Sequence, residues 1–309
     1  MIELEHVTKM YGNIPGLRDV SLHVPKGQTV GLLGRNGAGK TTALNLITGY
    51  FPPTEGKVRV GGKDMIADPR ACKRMIGYLP EKPPLYDEMT VEEFLTFVSE
   101  LREVTRKANR EHVSEIIELC SLKEVRGRVI GHLSKGYRQR VGIAQAMCGA
   151  PDVLILDEPT VGLDPKQTVE MRELIRKLGK DHTVVFSSHI LTEVQQLCSR
   201  VIILNEGRMV QSIDLNEKPA DTLRLRVRAA GRKETLLSAL KGLKCVLQAE
   251  GTASPETDTA EFLLTCKIAD EQGKATDQVF RLLAGLNAPI RMMSEERDTL
   301  EEIFLRETE

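Results

Sequence analysis

Near the start of the chain stands Gly34-Arg35-Asn36-Gly37-Ala38-Gly39-Lys40-Thr41, which fits the spacing G-x-x-x-x-G-K-[ST]. This spacing does its chemistry through geometry. Glycines let the backbone bend tightly, so that successive N–H groups point into one concavity that cradles phosphate. Lys40 is then placed to reach the outer phosphates, and the Thr41 hydroxyl to ligate Mg²⁺. The flanks distinguish the run from a glycine-rich turn. An apolar strand, Thr29-Val30-Gly31-Leu32-Leu33, leads into it. A helical stretch beginning Thr42-Ala43-Leu44-Asn45-Leu46-Ile47 leads out, adding the positive end of its dipole to the phosphate site.

The second candidate is Val153-Leu154-Ile155-Leu156-Asp157-Glu158-Pro159, a buried-strand pattern ending in two adjacent carboxylates. A strand-end acidic turn would look the same in isolation. Downstream of a phosphate loop, Asp157 is placed to meet phosphate-bound Mg²⁺ and Glu158 to face an attacking water, so the two motifs complete one site. The third is Leu133-Ser134-Lys135-Gly136-Tyr137-Arg138-Gln139-Arg140, followed by helical periodicity at Val141, Ile143, Ala144 and Ala146. Ser134 beside Gly136 at a helix start offers a hydroxyl, backbone donors and a dipole end. That makes either an anion site or an ordinary N-cap.

The elements that must position these groups alternate between strand and helix. Residues 1 to about 30 alternate in strand fashion (Ile2, Leu4, then Val20, Leu22, Val24), with turns at Tyr11-Gly12-Asn13 and Pro25-Lys26-Gly27. After a turn at Pro52-Pro53-Thr54-Glu55-Gly56 comes a short strand at Val58 and Val60. Thr90-Val91-Glu92-Glu93 reads as a capping box, and charged helical patterning continues to about Leu122. Further strands are expected at Thr183–Ser187 and Val201–Leu204. Apolar strands alternating with helices imply an α/β sheet covered on both faces.

Near Asn216 the texture changes. A one-sided strand (Leu223, Leu225, Val227), a helix (Leu236, Leu237, Leu240, Leu243) and strands at Lys244–Ala249 and Glu261–Ile268 follow, with a polar loop at Glu250–Pro255. A helix (Ala275, Val279, Leu282, Leu283, Leu286), a strand at Ile290–Met292 and a helix around Leu300–Leu305 complete the order β-α-β-β-α-β-α, the pattern of a split βαβ domain. The expected division is 1–215 and 216–309.

At 309 residues, with 41% hydrophobic and 28% charged residues, the chain has the composition of about two globular domains. A net charge of −1 argues against a dedicated nucleic-acid binder. Six scattered cysteines without a C-x-x-C pair read as reduced, mostly buried thiols of a cytosolic protein. Met1-Ile2-Glu3-Leu4-Glu5 has neither a basic nor an apolar leader region, and no apolar run approaches 18 residues.

Taken in order, residues 34–41, Ser134–Gly136, Asp157-Glu158, Leu163-Asp164 and His189 resemble the ATP-binding subunits of ABC transporters over about residues 1–215. The C-terminal appendage, ending Thr299-Leu300-Glu301-Glu302-Ile303-Phe304-Leu305, resembles the ATPases of two-component exporters of the gliding-motility, sodium-efflux and antibiotic-resistance types. The fold so implied is a P-loop NTPase with an antiparallel β subdomain and a helical insertion at about 88–150, plus a small α+β domain.

The resemblance also implies roles. ATP would be contacted by Gly34, Arg35, Asn36, Gly37, Ala38, Gly39, Lys40, Thr41 and Thr42, with Tyr11 stacking on adenine. Mg²⁺ would be held by Thr41, Asp157 and Glu81. Glu158 would polarise the hydrolytic water, and His189 would touch the γ-phosphate. Ser134 and Gly136 would meet the γ-phosphate of ATP on a second copy, with Asp164 at the seam of the homodimer. The implied partner is an integral membrane permease, engaged near Leu85-Tyr86-Asp87-Glu88-Met89 by a chain lying on the cytoplasmic face of the membrane, with no nucleic acid expected.

Two departures stand out. Glu81 replaces the family's glutamine and cannot donate a hydrogen bond as an amide does. Lys135 and Tyr137 alter the Leu-Ser-Gly-Gly-Gln signature. The alternatives are a non-transport ABC ATPase acting on ribosomes or DNA, which the single P-loop and near-neutral charge disfavour, and a regulatory nucleotide-binding subunit, against which Glu158 and His189 count.

Overall fold

The computed structural model describes residues 1–215, 222–252, 259–270, 273–296 and 300–308. Contacts divide the chain into two compact units. One comprises Met1–Asn216 with Phe304–Glu309, and the other Glu217–Ile303.

In the first unit the alternating N-terminal residues form β1 (Ile2–Tyr11) and β2 (Ile14–Val24), joined by the turn at Gly12-Asn13. With β4 (Glu55–Val60) and β5 (Lys63–Asp64) they make an antiparallel sheet in the order β2-β1-β4-β5. The second sheet contains β3 (Thr29–Leu33), β6 (Ile76–Leu79), β7 (Val153–Asp157), β8 (Thr183–Ser188), β9 (Arg200–Asn205) and β10 (Arg208–Asp214) in the order β10-β9-β3-β8-β7-β6. All neighbours in it are parallel except β9 and β10. Buried on both faces, β7 and β8 are continuous apolar runs until their polar ends, as a covered parallel sheet requires.

Helices α1 (Lys40–Ile47), α2 (Pro69–Arg74), α3 (Val91–Leu101), α4 (Arg106–Leu119), α5 (Lys135–Met147), α6 (Pro165–Leu178) and α7 (Leu191–Leu197) connect the strands. Helix α3 opens with the expected capping box, in which Thr90 Oγ1 accepts from Glu93 N–H and Glu93 Oε2 accepts from Thr90 N–H. The core joins both sheets through Ile2, Leu4, Val30, Leu44, Val58 and Ile155, all 2% exposed or less.

The consequence for chemistry is topological. Strands β3, β8, β7 and β6 are adjacent and parallel, so their C-terminal ends share one edge. Register places Leu33 beside Ser188, Asp157 beside Ser187, and Leu79 beside Leu156. The phosphate-loop run, Asp157-Glu158, Ser188-His189 and Pro80-Glu81 therefore leave the sheet side by side.

The second unit holds β11 (Thr222–Ala230), α8 (Lys233–Lys241), β12 (Val246–Thr252), β13 (Thr259–Lys267), a two-strand hairpin of β14 (Ala269–Asp270) and β15 (Gly273–Lys274), α9 (Ala275–Gly285) and β16 (Ile290–Glu296). Helix α10 (Leu300–Thr308) closes the chain. The sheet order β12-β13-β11-β16 is that of a split βαβ fold, and the hairpin is an addition to it. Leu225, Val227, Leu240, Phe262, Leu264 and Val279 build its own core. Ala253, Ser254 and Pro255 of the expected loop, and Thr299 of the tail, lie outside the described residues. The strand expected at Ile290–Met292 extends to Glu296, and elements α2, β5, β10 and the β14–β15 hairpin carry no expectation from sequence.

Candidate functional site

A cavity of about 390 Å³ opens at the shared strand edge. It is lined by Gly16, Arg35, Asn36, Gly37, Gly39, Lys40, Thr41, Thr42, Glu81, Glu158, Val161 and His189. The loop that forms its base turns on Gly39, the N-cap of α1, at φ +102°. A Cβ there would fall 2.7 Å from the Gly16 carbonyl oxygen, so both the conformation and the space demand glycine.

Lys40 is 6% exposed, and its Nζ donates to the Gly34 carbonyl at 2.8 Å. The same ammonium lies 3.4 Å from Glu158 Oε1. Glu158 Oε2 is 2.9 Å from His189 Nδ1. Glu158 has φ +47°, a left-handed conformation that costs a non-glycine residue of order 1 kcal/mol or more, and strain of this kind clusters at functional sites. Its backbone is held by N–H donation to Ser187 Oγ at 2.9 Å.

Asp157 lies beneath the cavity and is 1% exposed. Burial raises its carboxyl above the ordinary aspartate range, and the nearby Glu158 and Glu81 carboxylates push the same way. Hydrogen bonds from the Ser187 hydroxyl (2.6 Å) and from Thr41 oppose the shift. Tyr78, on the adjacent strand, is pushed up to about 12, chiefly by burial, and its hydroxyl sits 3.2 Å from Asn45 Oδ1.

The structure thus brings together the phosphate-loop residues, Glu81, Glu158 and His189, with Asp157 below them. Gly34 and Ala38 belong to the loop but do not line the cavity. Tyr11, 45% exposed, is outside the lining and packs edge-on against Phe51 at 5.6 Å. Its ring reaches the cavity's border at Gly16, where an added Cβ would come 2.6 Å from Tyr11 Cε2 and 3.1 Å from the Thr42 side chain.

Ser134, Gly136 and Asp164 form a second cluster that contributes nothing to this cavity. Ser134 caps α5, its Oγ accepting from Tyr137 N–H at 3.5 Å, and Asp164 caps α6, accepting from Gln167 N–H at 2.8 Å. The two caps are neighbours, since a Cβ on Gly136 would lie 2.6 Å from the Gln167 side chain. Lys135 lies over Gly162 in the same chain, with Nζ 2.0 Å from where a Cβ would be.

Sequence reasoning missed Gly16 and Val161 in the lining, and Ser187 as the hydroxyl that ties Asp157 to the Glu158 backbone. Ser187 was visible only as the residue two before His189. Gly16 had no signal beyond its place in an N-terminal strand.

Among the described residues no helix is long and apolar enough to cross a membrane. A sequence pattern described as ABC transporter matches residues 17–161. The chain is 37% identical over 217 residues (70% of the chain, 72% of the relative) to the uncharacterised ABC transporter ATP-binding protein YxlF of Bacillus subtilis. It is 36% identical over 230 residues (74% of the chain, 72% of the relative) to the bacitracin transport ATP-binding protein BcrA of Bacillus licheniformis. Among solved structures, the dimeric post-hydrolysis ATP-binding cassette MJ0796 bound to ADP and Pi is similar at TM-score 0.65 and 27% identity, covering 71% of this chain and all of that one.

Proposed function

The chain belongs to the ABC transporter family as an ATP-binding ATPase, and on that premise we propose that two copies close over two ATP molecules to drive a separate permease of exporter type. The observation that carries this reading is the separation of the two clusters. Ser134 and Gly136 present a capped helix start away from the cavity that holds Lys40, Glu158 and His189. One chain therefore offers half of two sites, and a second copy, as in the similar dimeric cassette, would supply the other half.

Each residue's part follows from its contacts. Lys40, held between the Gly34 carbonyl and Glu158, exchanges its carboxylate partner for the outer phosphates when ATP enters. Glu158 is then released to orient and deprotonate water, with the His189 imidazole 2.9 Å away to steer it and to touch the γ-phosphate. Tyr11 and Gly16 border the cavity, Tyr11 as the adenine platform. Asp164, which caps the helix of Gln167, a neighbour of Gly136, would lie at the seam.

The residues also fit Mg²⁺. Asp157 is a buried carboxylate held by hydroxyl groups, so the floor of the site carries negative charge that a divalent cation would offset. A cation of this kind is commonly bound through one or two carboxylates together with the substrate's own phosphates. Thr41 and Asp157 would hold it, with Glu81 at the rim, and it would neutralise charge on the transferring phosphoryl group.

Closure is a population shift, in which ATP favours the closed dimer by as much as its contacts differ between open and closed pairs. The permease would engage the segment around Tyr86, whose ring packs against Phe94 and Phe97 at 5.8 and 5.7 Å, and Asp87, which pairs with Arg138 at 2.7 Å just beyond Ser134. The chain would lie on the cytoplasmic face of the membrane.

The test uses Glu158→Gln, which should bind ATP and hydrolyse it slowly. Light scattering should show its mass doubling at saturating Mg-ATP. Adding Ser134→Arg should return it to monomer mass with nucleotide binding intact. A monomer at saturating Mg-ATP would overturn the shared-site reading.

A further inference from the structure

Glu193 is a carboxylate at 1% exposure in the first turn of α7, and it does not line the nucleotide cavity. Its Oε2 accepts from Thr160 Oγ1 at 2.7 Å and from Ser188 Oγ at 3.0 Å. Its Oε1 accepts from Arg172, on α6, at 3.3 Å. Thr160 stands two residues beyond Glu158, and Ser188 stands immediately before His189. One side chain therefore joins the loop carrying the carboxylate to the loop carrying the imidazole.

The join is tight on the histidine side. Ser188 Oγ, while donating to Glu193, accepts from Ile190 N–H at 3.0 Å. Both backbone neighbours of His189 are thus anchored to one carboxylate. Glu193 N–H also donates to the Ile190 carbonyl at 3.2 Å. On the other side of the two loops, Ser187 Oγ holds Asp157 and the Glu158 backbone. Between these two anchors lies the 2.9 Å contact of His189 with Glu158.

Stability alone gives little reason for the arrangement. A buried carboxylate needs several donors before it breaks even against an apolar side chain, and a buried ion pair is weak evidence for stability. What a fully engaged carboxylate does supply is fixed geometry.

We propose that Glu193 is a positioning residue, setting His189 against Glu158 by holding Ser188 and Thr160 at a fixed spacing. The role rests on the reading of Glu158 and His189 given above. A displacement of about 1 Å at a reacting centre can lower turnover by about 100-fold, so the loss should fall on kcat.

The test measures phosphate release by the full-length chain carrying Glu193→Gln, Thr160→Val, His189→Ala and the pairwise combinations with His189→Ala. Glu193→Gln should lower kcat by about 10- to 100-fold, with KM for ATP changed less than about threefold and a cooperative melt retained. In the His189→Ala background it should have no further effect, because a residue that acts through the imidazole has nothing left to position. Thr160→Val should behave the same way, and it carries the test should Glu193→Gln fail to fold. Normal kcat in both single variants, or losses that multiply with His189→Ala, would overturn the positioning role. Wild-type turnover in His189→Ala would remove the reading of the site, and the positioning role with it. A slow His189→Ala beside a normal Glu193→Gln and Thr160→Val would remove the positioning role alone.

Discussion

Asp157→Asn should stabilise the nucleotide-free protein while destroying its activity. Asp157 is 1% exposed, and burial is the largest influence on its carboxyl, holding it above the ordinary aspartate range. Its charge is therefore carried at a cost in the absence of nucleotide. Replacing a buried charge with a neutral isostere recovers part of a desolvation penalty of about 1–3 kcal/mol. The amide's own N–H groups must find acceptors next to Ser187 Oγ and Thr41, which offsets about 1 kcal/mol of that. A net gain of up to about 2 kcal/mol in a unit of this size should raise Tm by up to about 8 °C.

The sign with pH is determined. A carboxyl raised on folding binds protons more readily in the folded state, so wild-type stability increases as pH falls through the folded value, down to the unfolded value near 3.8. The Tm gap between variant and wild type should be widest at neutral pH and should close on acidification through that window. Scanning calorimetry from pH 4 to 8 without nucleotide checks the stability, and Mg-ATP turnover, expected to fall by at least about 100-fold, checks the function. A variant that melts below wild type at neutral pH, or a gap that widens on acidification, would refute the account of Asp157 as a charge held for a cation.

Two other changes test the frame around the site. Gly39→Ala should abolish measurable ATP affinity in a fluorescent-nucleotide titration and lower stability by about 3 kcal/mol, since φ +102° and a 2.7 Å approach to the Gly16 carbonyl both oppose a side chain. A chain ending at Leu215 should remain folded and bind ATP, because the core built from Ile2 to Leu204 shares no member with the core built from Leu225 to Ala288. It should lose about 1 kcal/mol with the hydrogen bond from Asn205 Nδ2 to the Glu307 carbonyl at 3.1 Å. Insolubility, or loss of a cooperative melt, would show that the two regions share one core.

Several elements escaped a reading of the sequence for identifiable reasons. Helix α2 has only Cys72 buried, so no apolar periodicity marks it. Strand β10 is an edge strand without one fully buried residue, and its pairing with β9 rather than its own composition makes it a strand. Lys135 reads from the sequence only as a departure from the family signature, and the fold is what lays it over Gly162 of the same chain. Glu193 reads as one charged position in a short helix, and nothing local separates this buried, hydrogen-bonded carboxylate from the exposed Glu173 or Glu206.

What the sequence determined by itself is whatever depends on neighbours along the chain. A phosphate cradle is made by glycines at set offsets before a helix, a capping box by Thr90 and Glu93 three apart, and a covered strand by the unbroken run from Val153 to Leu156. Tertiary structure alone decided which strand tips meet. Strands β3, β8, β7 and β6 come from residues 29–33, 183–188, 153–157 and 76–79, and their order follows from crossovers between them. That order sets Lys40, Glu158 and His189 within hydrogen-bonding range, and it leaves Ser134 outside the cavity. Periodicity reports which face of an element is buried but carries no information about the partner it is buried against, so contacts across tens to more than a hundred residues became visible only when the sheet was assembled.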